Sequence, residues 1–143
     1  LPHNYVKNCV VYTGTHDNDT TVGWFFDKNP ESSTRSPEQV QREQQATLAY
    51  LGRTDSSEIH WDMIRTCLAS VANTAIIPMQ DLLGLGSEAR MNRPGANAGN
   101  WEWRVSASAL TPQLAARLAQ LTRTYERSPR LRLPIESARK EAV

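Results

Sequence analysis

The sequence reads as an α/β chain whose strands run parallel. Two short apolar, β-branched runs, Cys9-Val10-Val11-Tyr12-Thr13 and Thr74-Ala75-Ile76-Ile77-Pro78, are separated by segments of helical period. The order strand, helices, strand, helix is the grammar of a parallel sheet. Each run leads into polar residues, His16-Asp17-Asn18-Asp19 after the first and Gln80-Asp81 after the second. The C-terminal ends of parallel strands are where ligands bind in α/β barrels and open α/β sheets. Two strands are too few for a parallel sheet, which is covered on both faces. The pattern therefore predicts the last part of a larger α/β fold, most naturally a barrel. The opening residues, Leu1-Pro2-His3-Asn4-Tyr5, include no initiator Met and run almost directly into a strand, which adds to the expectation of a chain cut from something larger.

Residues 9–13 form the first predicted strand. Val22, Trp24, Phe25 and Phe26 within 20–28 predict a short helix or turn pair ending at Asn29-Pro30. Residues 29–37 are a polar, Ser-rich loop. Ser36 is placed to cap a helix, with Pro37 in its first turn and Gln39 completing a capping box. Val40, Leu48 and Leu51 share one face of that helix and Gly52 ends it. A second helix is expected from near Asp55, with Glu58 three residues on, and Trp61, Ile64, Leu68 and Val71 at helical spacing. The second strand covers 74–78, followed by Met79 to Gly86 and a Gly/Asn-rich loop from Arg90 to Asn100. A last helix opens at Thr111-Pro112, with Leu114, Leu118, Leu121 and Tyr125 as its stripe. The helices at 37–51, 57–72 and 112–126 are expected to carry most of the packing. Residues 128–143 read as a charged, Pro-punctuated tail beyond a domain at 1–127. There is no internal repeat or low-complexity tract.

The 143 residues suffice for one ordinary domain. Charged residues are 22% and nearly balanced at net +1, which argues against a nucleic-acid or membrane-surface protein, since either needs a clustered basic face. Arg127, Arg130 and Arg132 cluster near the end and read as a solvated helix end rather than a binding patch. Cys9 lies in the strand and Cys67 in an apolar helix. Both read as small buried hydrophobes with neither metal nor disulfide spacing. Such cysteine usage suits a cytoplasmic protein. No apolar run approaches the ~18 residues of a membrane span, and no signal-peptide pattern opens the sequence.

The chemistry-bearing residues begin with His16 and Asp17. A carboxylate at a strand's C-terminal end can stabilise developing positive charge, act as acid or base, or hold a pair of sugar hydroxyls. The alternative is structural, with Asp17 or Asp19 capping the helix that follows. A metal site from His16, Asp17 and Asp19 lacks any second cluster with ligand spacing, so no metal is expected. Asp81 is either a site residue or a helix cap, the cap being favoured. The segment from Arg90 to Arg104 combines Asn and Arg donors with Trp101 and Trp103. Such a set suits a sugar, which needs hydrogen bonds at its hydroxyls and stacking on its apolar face. The structural alternative, two Trp plugging the bottom or flank of a barrel, is favoured for Trp101 and Trp103. Trp61 reads as core. The chain has no Gly-rich phosphate loop, GxSxG elbow or CxxC pair, which weighs against a nucleotide enzyme or a serine hydrolase.

Taken together, GTHDNDT (14–20) after a strand, then IIPMQDLLGLGSEARMN (76–92), Pro94-Gly95 and GNWEWR (99–104), resemble the C-terminal end of the 4-α-glucanotransferases. These are the amylomaltases or disproportionating enzymes, relatives of the α-amylase barrels. The resemblance covers roughly residues 4 to 126 and implies that the chain is the last quarter or so of such an enzyme. It implies a (β/α)₈ barrel, with residues 9–13 on the seventh strand and 74–78 on the eighth. Domain 1–127 is then the C-terminal part of the catalytic barrel.

Family enzymes transfer an α-1,4-glucan between maltooligosaccharides by double displacement with retention, which uses a nucleophilic Asp and an acid/base Glu. By motif match, Asp17 would be a third carboxylate that stabilises the transition state. His16 would bind the same sugar ring, and Asn92 would be a glucan-binding residue over the cleft. The nucleophile and the acid/base lie on earlier strands in the family, so this chain alone is expected to be inactive and to need the remainder of its own enzyme as a partner. No cofactor is implied, because carboxylates do the chemistry. The other readings of the sequence are a non-catalytic carbohydrate-binding or interaction module and an α-amylase-like hydrolase.

Overall fold

The computed structural model of the chain describes residues 1–27 and 35–128. Two three-residue strands, β1 (Val10–Tyr12) and β2 (Thr74–Ile76), pair in parallel with Val11 opposite Ala75. Between them lie α1 (Thr21–Phe26), α2 (Pro37–Leu51) and α3 (Ile59–Ala69). After β2 come α4 (Met79–Leu82) and α5 (Pro112–Thr124). Single 3₁₀ turns cover Pro2–Asn4, Ser87–Ala89 and Ala107–Ala109. The expected α/β order is present, with both strands shorter than the runs that encode them.

The core forms where α3 meets the strands and the two later helices. Trp61, Ile64 and Leu68, spaced three and four apart on α3, are buried against Leu82 of α4 and Leu121 of α5. Leu114, Leu118 and Tyr125 complete the α5 side of this cluster, so the whole predicted stripe packs inward. Ile64 is fully buried, which stabilises the fold by about 1.5–3 kcal/mol relative to an exposed position. A second cluster of Val11, Cys67 and Ala72 fastens β1 to α3. Burial pushes the Cys67 thiol up to about 11, which keeps it a neutral hydrophobe. Cys9 is only half-buried and donates its thiol hydrogen to Val6 O at 2.9 Å, a correction to its reading as a small buried hydrophobe.

Helix ends read from local pattern hold where the partners are local. Ser36 and Gln39 form the reciprocal capping box of α2, and Gly52 closes it at φ +63°. Thr111 caps α5 by accepting from Leu114 N at 3.1 Å. The start of α3 differs from its prediction. Asp55 turns back onto the Ser57 N–H and hydroxyl, and the helix begins at Ile59 with no side-chain cap. Glu58 instead takes two hydrogen bonds from Arg117 of α5, whose guanidinium lies 4.1 Å from the centre of the Trp61 ring. α3 also ends before Val71, which is exposed.

Two expectations about packing are corrected. α2 has no buried residue, and Val40, Leu48 and Leu51 are only half-covered, so this helix does not carry the core. α4, four residues long, contributes Leu82 instead. Arg127 is no solvated helix end. Its guanidinium donates to Leu68 O (2.9 Å), Ser70 O (2.6 Å) and Ala72 O (2.5 Å), satisfying carbonyls that the end of α3 leaves unpaired. Arg130 and Arg132, residues 28–34 and the tail after Ser128 lie outside the described residues.

The sheet has one face on the helices and one open. Val11 points into the core, whereas Val10, Tyr12 and Ile76 are exposed on the opposite face. A cleft of about 570 Å³ runs beside β1, walled by Tyr5, Val10, Tyr12, Trp24 and Met63.

Candidate functional site

The segment Gly14–Thr20 leaves the C-terminal end of β1 and returns as α1. One buried carboxylate fastens both of its ends. Asp81, 1% exposed, accepts from the Thr13 hydroxyl at the strand end and from Thr21 N at 2.7 Å in the first turn of α1. Asp81 is thus a cap, but of a helix 60 residues earlier, while its own α4 has Pro78 at its N-cap and no side-chain cap. Within the segment, Asn18 Oδ1 accepts from Thr15 N (2.8 Å) and Thr15 Oγ1 (2.9 Å), closing a tight turn. That turn carries His16 and Asp17 at its exposed tip.

The helix-cap alternative for Asp17 and Asp19 is overturned. The N-cap of α1 is Thr20, whose hydroxyl accepts from Gly23 N at 3.0 Å. Asp19 instead takes Thr20 N at 2.8 Å and the Ser87 hydroxyl at 2.7 Å. Gly23 makes this tie possible, because a Cβ there would collide with the Ser87 oxygen and the Asp19 carboxylate. Asp19 and Asp81 are both committed to protein donors.

The second segment enters from buried Ala89, whose carbonyl accepts from the Gln80 amide at 3.3 Å. Asn92 Nδ2 then donates to Asp17 Oδ1 at 2.6 Å, and Asn92 N donates to His16 O at 3.1 Å. Arg90 donates to Asp17 O at 2.6 Å and to Asn92 O at 2.9 Å. Beyond Asn92 the chain loops out, and Asn100 closes the loop on Arg93 and Ala96. Trp101 follows at φ +65°, a left-handed backbone rare for a side chain of this size. Its N–H donates to Met91 O at 2.8 Å, and its ring lies 5.0 Å from the His16 imidazole. Trp101 is 54% exposed, with its ring beside the His16 imidazole. Trp103 is half-buried.

The structure therefore brings His16, Asp17 and Asn92 to one place. His16 Nε2 is 3.4 Å from Asp17 Oδ1, and both side chains are about half exposed, at 53% and 52%. A cleft of about 220 Å³ adjoins them, lined by His16, Gln80, Arg90, Met91 and Trp101. Arg90 and Trp101 gain site positions that sequence reasoning did not give them individually. An open carboxylate flanked by an imidazole, an amide and an aromatic face suits a hydroxyl-rich ring bearing partial positive charge. It does not supply the pair of carboxyl groups that glycosyl transfer needs. Among the described residues, no three His, Cys, Asp or Glu are grouped to hold a metal ion.

Residues 1–111 match the profile of the 4-alpha-glucanotransferase family. The chain belongs to the 4-alpha-glucanotransferase family. A 4-alpha-glucanotransferase of Synechocystis is 48% identical over 128 residues, which are 89% of this chain and 23% of that protein. The enzyme of the same name from Clostridium butyricum is 47% identical over 89% of this chain and 24% of its own length. A chloroplastic/amyloplastic 4-alpha-glucanotransferase of Oryza sativa is 45% identical. An amylomaltase from Streptococcus agalactiae, solved in complex with acarbose, superposes with a TM-score of 0.73 at 36% identity, over 88% of this chain and 23% of that one. The chain thus spans about a quarter of the length of the relatives it matches. The amylomaltase likeness implies a TIM-barrel-type enzyme fold. No described helix is long and apolar enough to cross a membrane.

Proposed function

We propose that this chain is the C-terminal part of the catalytic barrel of a 4-α-glucanotransferase. The parent enzyme moves an α-1,4-glucan segment from one maltooligosaccharide to another with retention of configuration. β1 and β2 are the seventh and eighth barrel strands in this reading. The uncovered face bearing Val10, Tyr12 and Ile76 supports it, because a barrel packs such residues into its interior.

The roles that the family resemblance implies are compatible with the geometry. Asp17 stabilises the oxocarbenium-like transition state by placing a negative charge beside the reacting ring. His16 binds the same ring, and Asn92 holds Asp17 with one amide hydrogen and offers its side-chain oxygen Oδ1 to glucan. The nucleophile and the general acid/base come from the rest of the enzyme, and no metal or organic cofactor takes part. The observation that carries the proposal is the 2.6 Å contact between Asn92 and Asp17, which joins two motif segments 75 residues apart at the C-terminal end of a parallel strand.

The test is the product ladder from maltotriose incubated with the full-length enzyme. Longer maltooligosaccharides accompanied by glucose establish transfer. Maltose and glucose with nothing longer mean a hydrolase, and no reaction at all favours a binding module.

A further inference from the structure

We propose that Arg90 is a positioning residue for this site, setting the distance and angle between the Asp17 carboxylate and the Asn92 amide. The inference rests on the reading of Asp17 and Asn92 given above and deepens it. One guanidinium reaches both segments at once. Its Nη2 donates to the carbonyl of Asp17, and its Nε donates to the carbonyl of Asn92. Both functional side chains therefore stem from residues whose own carbonyls are held by the same rigid plane.

Arg90 is well placed to act as a fixed reference. The residue before it, Ala89, is 1% exposed and tied to Gln80 of α4, the helix that follows β2. Arg90 thus rises from the packed base of the eighth-strand segment. The partners it holds lie on exposed backbone, the tip of the 14–20 turn and the start of the 93–100 loop. Few other contacts fix that tip. Asn18 closes the turn upon itself, and Asn92 N reaches His16 O. Without Arg90, the Asp17 peptide keeps no side-chain donor. The Asn92–Asp17 hydrogen bond would then have to set its geometry alone.

Chemistry also decides the residue type. A guanidinium offers several N–H groups in a fixed fork, so two carbonyls can be held in one plane. A lysine ammonium on a flexible stem can satisfy one carbonyl well or two poorly.

The experiment uses the full-length enzyme with maltotriose, comparing Arg90→Gln, Arg90→Lys, Asn92→Ala, the Arg90→Gln/Asn92→Ala double variant and Asp17→Asn. A misplacement near 1 Å costs roughly 100-fold in rate, so Arg90→Gln is expected to lower kcat on that order with KM little changed. Arg90→Lys should regain part of the loss, and the melting temperature should stay close to wild type in both. The double variant should be no slower than the slower single variant, because both changes release the same carboxylate. Wild-type kcat in Arg90→Gln would overturn the proposal. So would a loss that tracks melting temperature and adds fully to that of Asn92→Ala. Normal turnover in Asp17→Asn would overturn the underlying site reading, and the proposal with it.

Discussion

The amide of Asn92 donates to the carboxylate of Asp17 at 2.6 Å across 75 residues of sequence. The bond is charge-assisted and short, and it leaves the second carboxylate oxygen free. Two loops that share no local pattern are thereby made into one surface.

Replacing Asn92 by Asp turns this bond into a repulsion. The substitution removes a charge-assisted hydrogen bond and sets two carboxylates side by side. Asn92→Asp should therefore lower kcat on maltotriose by roughly 10-fold or more, since a hydrogen bond to a charged group contributes about 1.5–3 kcal/mol. Steady-state kinetics of both proteins on maltotriose, with melting temperature followed alongside, checks this. A wild-type kcat means that Asn92 does not face the working form of Asp17.

Asp81 is a stability position. Truncation to Ala leaves the Thr21 N–H and the Thr13 hydroxyl without their partner and should cost about 2–4 kcal/mol. Thr20→Ala, which removes only the N-cap of α1, should cost about 1 kcal/mol. Chemical unfolding of the two variants gives the ratio directly. Equal losses would show that Asp81 contributes no more than an ordinary cap.

The Glu58–Arg117 pair predicts an acid-dependent contribution. Hydrogen bonds from Arg117 hold the Glu58 carboxyl below its ordinary value of 4.5. A lowered folded-state pKa means that the native state binds fewer protons than the unfolded one. The stabilisation is therefore complete above pH 4.5 and is lost as the pH falls through the lower folded value. The difference in melting temperature between wild type and Glu58→Gln should persist at neutral pH and close under acid. Both side chains are well exposed, so the difference should be small and reduced by salt.

How far the sequence foretold these features depends on where the partners lie. Ser36–Gln39 and Thr111–Pro112 are readable because a cap and the N–H it accepts from sit within one turn. Asp55–Glu58 has the same spelling and fails, because Arg117 takes Glu58 from 59 residues away and Ser57 takes Asp55. α2 shows an apolar face in sequence, yet periodicity does not reveal how much of that face finds a neighbour. His16, Asp17 and Asn92 were named from motif segments, but their convergence is a tertiary fact. The same holds for Asp81 capping α1 and for Arg90 bridging two loops, for which no local signal exists. The position of the Trp101 ring beside His16 is likewise set by tertiary contacts, since no local signal in the 90–104 segment places it there.

The central claim is that Asp17 stabilises the transition state of glucan transfer. The most direct measurement compares maltotriose disproportionation by full-length wild-type and Asp17→Asn enzyme, with melting temperature followed alongside. The substitution keeps volume and removes charge, so the account predicts an unchanged melting temperature and a loss of roughly 100-fold or more in turnover. An Asp17→Asn enzyme that builds the same ladder of longer oligosaccharides at the wild-type rate would contradict it.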